Sequence, residues 1–175
     1  MKRNTKITFC AMMAALSAGF MLLSYFPYLT YAIPAISGLF IMVAVIETDT
    51  KWALAAYVAS AVIAFLLAEP ESKLLYVFLF GYYPILKAVT EKLRKPVLEW
   101  IIKLAVFNGA VLAVYLVFSA LFQISLEDFG ILGKYGAVIF LAIGNAVFLV
   151  YDIAVSRMAM FYINIVQPKI RKILK

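Results

Sequence analysis

The chain has 175 residues, 66% of them hydrophobic and 14% charged, with a formal net charge of +7. That composition excludes a sizeable soluble domain and leaves one compact all-α domain over residues 1–175. There is no histidine, and Cys10 is the single cysteine, so an internal disulfide, a cysteine metal cluster and the commonest general base are excluded together.

The first apolar stretch follows the basic start Lys2-Arg3-Asn4-Thr5-Lys6, and no residue from Ile7 to Ile46 carries a formal charge. One helix of that length would be about twice too long for a bilayer core of roughly 30 Å, so the stretch must turn back, with Pro27 and Pro34 bracketing the turn. The first span, about Ile7 to Tyr25, carries Ala11, Ala14, Ala15 and Ala18 in four-residue pairs that share a helix face. Small residues at that spacing serve either internal helix packing or the docking of a separate membrane subunit. A cleavable signal peptide is not expected, because this run lacks a cleavage site and is continuous with the next.

An aromatic turn holding Tyr25, Phe26, Tyr28 and Tyr31 leads to a short second span, about Tyr31 to Ile46, which ends at Glu47, Asp49 and Lys51. The third runs from Trp52 to Ala68 and reaches the acidic turn Glu69-Pro70-Glu71. A fourth, from Leu74, contains Phe80-Gly81-Tyr82-Tyr83-Pro84 and then Lys87. Pro84 removes a backbone donor and Gly81 permits a bend, so a kink in mid-span is predicted. After the basic loop Glu91–Pro96, the fifth span (about Val97 to Phe122) carries Lys103, Asn108 and Tyr115. The sixth, about Lys134 to Ile163, carries Asn145, Asp152 and Arg157 and runs into a basic tail.

The sum is a polytopic membrane protein with six transmembrane helices and both termini cytoplasmic. With that topology fourteen of the sixteen basic residues lie inside, leaving Lys73 and Lys134 outside beside Glu69, Glu71, Glu127 and Asp128. This is the asymmetry of the positive-inside rule, and it requires an even number of crossings. The basic residues are juxtamembrane, so they read as topology signals and as attraction to an anionic inner leaflet rather than to nucleic acid. The expected location is the cell membrane.

Ionisable groups inside a span are costly in lipid and face partners or cavities. Lys87, Lys103 and Asp152 form the candidate charge cluster, with a Lys87–Asp152 pair joining spans four and six and Lys103 beside it. Such a cluster is either a structural ion pair with snorkelling lysines or part of a proton or cation path. The outer halves of spans four to six hold Tyr76, Tyr82, Tyr115 and Asn145 together with Phe118, Phe122 and Gln123. An apolar aromatic cleft with a few amides and hydroxyls suits a small flat solute, although aromatic residues also line lipid. No phosphate loop, nucleophile elbow or carboxylate-rich metal motif is present, so no catalytic or metal-binding residue and no cofactor is assigned and the chain is not expected to be an enzyme.

In size, six spans, inner termini and the Ala11/Ala15 and Ala14/Ala18 pattern, the chain resembles the S components of energy-coupling factor (ECF) vitamin transporters. The resemblance implies a substrate-binding membrane subunit that takes a vitamin or related heterocycle, docks on a coupling membrane subunit and is driven by two cytoplasmic ATPases. It also implies that Ala11, Ala14, Ala15 and Ala18 form the docking face and that Tyr76, Tyr82, Tyr115 and Asn145 are substrate-binding candidates. Two other readings stay open. One is a non-transporting membrane scaffold, similar in size and span number to the cell-shape protein MreD. The other is a small stand-alone proton-coupled carrier using Lys87 and Asp152.

Overall fold

The computed structural model describes residues 3–93, 95–122 and 136–169. These residues are helical throughout their ordered elements: α1 (Arg3–Met21), α2 (Ala32–Glu47), α3 (Thr50–Leu67), α4 (Pro70–Leu75), α5 (Tyr83–Thr90), α6 (Pro96–Phe122) and α7 (Gly136–Phe161). A 3-10 turn, Leu22–Tyr25, extends α1, and wider π turns follow α4 (Tyr76–Phe80) and α7 (Tyr162–Val166). Among the described residues, four stretches are long and apolar enough to cross a membrane: Arg3–Tyr25, Thr50–Leu67, Pro96–Val114 and Leu141–Lys169. Helix α2 is apolar but has 16 residues, and Pro70–Thr90 is a helix in two pieces.

The exterior has the character of a surface made for lipid. On α3, Leu54, Val58, Val62 and Leu66 recur every fourth residue and are all exposed, a stripe that would be an aggregation hazard in water. The opposite face of α3 is small: Ala53, Ala56, Ser60 and Ala64 are buried. Helix α1 turns Phe9, Cys10, Met13, Ala14, Ser17, Ala18 and Met21 inward, at the spacing of a single helix face. Small side chains on both elements let the backbones approach closely, and α1, α2 and α3 pack as a trio. A second core joins the broken helix to α2, α6 and α7 through Met42, Leu79, Tyr83, Phe107, Phe148 and Val155.

The break between α4 and α5 has a clear chemical cause. Pro84 lies in the first turn of α5, where its missing N–H costs that helix nothing but leaves the Phe80 carbonyl without its usual helical donor. Upstream, the Gly81 N–H bonds the Tyr76 carbonyl at 2.8 Å, one residue further back than in an α-helix. The Tyr57 hydroxyl donates to the Val77 carbonyl at 2.6 Å. Backbone opened in this way is tolerated in an apolar surround when neighbouring side chains satisfy it. A Cβ on Gly81 would stand 2.7 Å from Cε2 of Tyr57, so glycine is what lets that ring reach the break. The mid-span kink expected from Gly81 and Pro84 is therefore present, and it is a full interruption.

Polar contacts mark the two ends of the bundle. At one end Lys6 pairs with Asp49, Cys10 Sγ lies 3.6 Å from Thr48 Oγ1, and the Tyr162 hydroxyl donates to Glu47 at 3.2 Å. The Lys6 ammonium holds the exposed Asp49 carboxyl below the usual carboxylate range. At the other end Tyr25 donates to the Leu67 carbonyl at 3.1 Å, and Tyr31 donates to Glu71 at 3.0 Å. The Ser72 hydroxyl there donates to the Thr30 carbonyl at 2.6 Å. The Glu71 carboxylate, accepting from Tyr31, pushes that phenol above its ordinary value.

Candidate functional site

Among the described residues, two polar constellations and one alanine-lined groove are candidates for function. The first is ionic and lies where α5, α6 and α7 meet near the Lys6–Asp49 end. Asp152 Oδ1 accepts from the Tyr83 hydroxyl, from Lys87 Nζ and, at 3.1 Å, from Lys103 Nζ. Lys87 also pairs with Glu91 at 3.2 Å, and Lys103 with Glu99. Lys103 is 1% exposed, and Lys87 and Asp152 are 5% exposed. Two ammonium groups and three carboxylates thus satisfy one another in a place where either sign alone would be costly. Trp100 adds its ring face, 5.3 Å from Lys103 Nζ.

The structure thus brings Lys87, Lys103 and Asp152 together. Sequence reasoning missed Tyr83, Glu91 and Glu99, although the signal was there. Tyr83, Lys87 and Glu91 are spaced by four on one segment, and Glu99 and Lys103 by four on the next, so each set shares a helix face. With three donors on one oxygen, Asp152 acts as a strut that fixes three elements at a common point.

The second constellation is neutral. Tyr76 is fully buried, and its hydroxyl lies between Ser17 Oγ at 2.6 Å and Ser60 Oγ at 2.7 Å. Ser17 donates in turn to the Ser37 carbonyl at 2.9 Å, so this hydroxyl chain links α1, α2, α3 and the broken helix. Tyr82 packs edge-on against Tyr57, with centroids 6.2 Å apart, and Tyr57 makes a tilted contact with Tyr76 at the same distance. Asn145 belongs to a different pairing: its amide and that of Asn108 exchange hydrogen bonds of 3.0 and 3.1 Å between α7 and α6. Each asparagine also donates to the carbonyl four residues earlier, Leu141 or Leu104. Tyr76 and Tyr82 therefore share the neighbour Tyr57, while Asn145 is bound to Asn108. The side chain of Tyr115 lies outside the described residues, as does Gln123.

The third candidate is a groove of about 160 Å³ between α1 and α3, lined by Ala11, Ala14, Ala55, Ala56 and Ala59, with Trp52 among its walls. The four alanines of α1 separate here into two pairs. Ala14 and Ala18 are buried in the packing of α1, whereas Ala11 and Ala15 are exposed. The α3 alanines 55 and 59 are exposed on the same four-residue spacing. Among the described residues no group of three or more Asp, Glu or Cys side chains could hold a metal ion. No protein-family model, no curated protein and no solved structure matches this chain.

Proposed function

We propose that the chain is the substrate-binding membrane subunit of an ECF-type importer for a vitamin or a related small heterocycle. In this reading it crosses the cell membrane six times with both termini in the cytoplasm, and it hydrolyses nothing itself. Helix α2 and the broken helix Pro70–Thr90 serve as the second and fourth crossings. The positive-inside asymmetry supports that arrangement, as does the way polar contacts gather alternate helix ends at opposite ends of the bundle.

The observation that carries the reading is the alanine groove between α1 and α3. Lipid tails are as apolar as the helix surface, so a partner helix gains little from burying apolar area and binds where small residues let backbones close together. Ala11 beside Ala55 and Ala59 offers that surface to the outside, and Ala15, one turn further along α1, is exposed as well. Tyr82, Tyr115 and Asn145 remain the substrate-binding candidates, while the buried Tyr76 hydroxyl, bonded to Ser17 and Ser60, holds the broken helix against α1 and α3.

The test is affinity purification from detergent after co-expression with a coupling subunit and its two ATPases. Wild type is expected to co-purify in stoichiometric amount. Ala11→Trp and Ala15→Trp are expected to abolish capture while leaving the melting temperature unchanged, because both side chains point outward. Failure of the wild type to assemble with several such modules would overturn the importer reading. The charge node favours a second reading, a proton-coupled carrier in which Lys87 and Asp152 exchange the proton. Its decisive variant is Asp152→Asn, which should abolish transport while leaving the chain folded.

A further inference from the structure

We propose that the groove between α3 and the broken helix holds one acyl chain of a zwitterionic aminophospholipid, whose headgroup is recognised by Lys73, Glu69 and Glu71. The groove has a volume of about 310 Å³ and is walled by Tyr57, Ala61, Val62, Phe65, Leu66 and Val77. Its one polar side chain, Tyr57, spends its hydroxyl on the Val77 carbonyl, so nothing within it asks for water. From Tyr57 to Leu66 it follows α3 for about 14 Å, the direction and scale of an acyl chain lying along a helix. Val62 and Leu66 lie on the exposed apolar stripe of α3, so the groove opens sideways into lipid.

The end of the groove supplies the head-group chemistry. Lys73 Nζ lies 5.3 Å from the centre of the Phe65 ring, which places its charge at the groove mouth. It forms no ion pair with any described residue. The two carboxylates that precede Lys73 in this turn each have one partner: Glu69 accepts from the Ser72 N–H at 2.9 Å and Glu71 from the Tyr31 hydroxyl at 3.0 Å. Each keeps acceptor capacity, because a carboxylate has about four lone-pair sites. One cation and two anions make this turn net negative, which disfavours a purely anionic head. A headgroup with a phosphate for Lys73 and an ammonium for the glutamates meets both signs at once. This inference requires the membrane, not the importer reading.

The test is native mass spectrometry of the full chain released from nanodiscs holding equal phosphatidylethanolamine and phosphatidylglycerol of matched tails. The expected result is one phosphatidylethanolamine retained in preference to phosphatidylglycerol. Lys73→Gln, which removes a charge-assisted bond, should weaken retention by about tenfold. Val62→Trp should fill the groove and lower retention of both lipids. Preferential retention of phosphatidylglycerol, equal retention by Lys73→Gln, or no retained lipid on the wild type would each overturn the proposal.

Discussion

At Gly38, on α2, a single missing methyl sets the distance between two helices. A Cβ there would stand 2.5 Å from the Phe80 carbonyl oxygen and 3.2 Å from the Tyr151 hydroxyl. The first is a backbone atom, held at the break that Pro84 creates, so it cannot swing aside as a side-chain tip would. Gly38→Ala should therefore destabilise the fold by about 1–3 kcal/mol, the usual cost of overpacking a filled interior. Gly109, inside α6, has nothing within 4 Å of an added Cβ. There alanine should stabilise by about 0.5–1 kcal/mol, since glycine in mid-helix is the poorer helix former. Thermal unfolding of the two variants in one detergent checks both signs. A Gly38→Ala protein as stable as wild type would mean that the break relaxes freely. Neither outcome is readable from sequence, where both are glycines within apolar helices.

Joining α5, α6 and α7, the Asp152 node shows how elements are pinned in a medium that gives no hydrophobic reward for packing. Removing one partner of a buried ion pair costs about 3–5 kcal/mol when the other is left uncompensated. Lys87 and Lys103 would keep Glu91 and Glu99, so Asp152→Asn should cost less than that while still lowering the melting temperature measurably. Adding Lys87→Met should recover part of the loss, because one of the two ammonium groups that shared Asp152 then disappears, while the Glu91 that it leaves is half exposed. A variant as stable as wild type but dead in proton-coupled uptake would instead support the carrier reading. The convergence of Lys87, Lys103 and Asp152 was legible because charges within apolar runs have few places to go. The participation of Tyr83 was not, because a tyrosine in such a run could equally face lipid. The alanine stripe of α1 was half legible. Spacing of four marks one face, but Ala14 and Ala18 differ from Ala11 and Ala15 by about a sixth of a turn, and the neighbours α2 and α3 decide which pair is covered.

For the whole molecule, the charge pattern and the helix lengths speak differently about how many times the chain crosses. Basic residues call for an even number with both termini inside, whereas α2, at 16 residues, spans about 24 Å against a core of roughly 30 Å. Hydropathy along one chain cannot reconcile the two, because a short or broken helix acquires membrane depth from its neighbours. Helix α2 is packed against α1 and α3, and its entry turn from Tyr28 to Tyr31 is aromatic, which suits an interfacial anchor and local thinning of the bilayer. If α2 crosses, its two flanks lie on opposite sides. Tyr28 is 99% exposed at one flank, and Lys51 is exposed at the other. In a Cys10→Ser background, Tyr28→Cys should react with a membrane-impermeant maleimide on intact cells, and Lys51→Cys only after the membrane is opened. Labelling of both from the same side would remove α2 as a crossing and with it the six-span topology. Labelling with the sides exchanged would keep the crossings but place the Asp152 node on the outer face, where the positive-inside rule says so many basic residues should not lie.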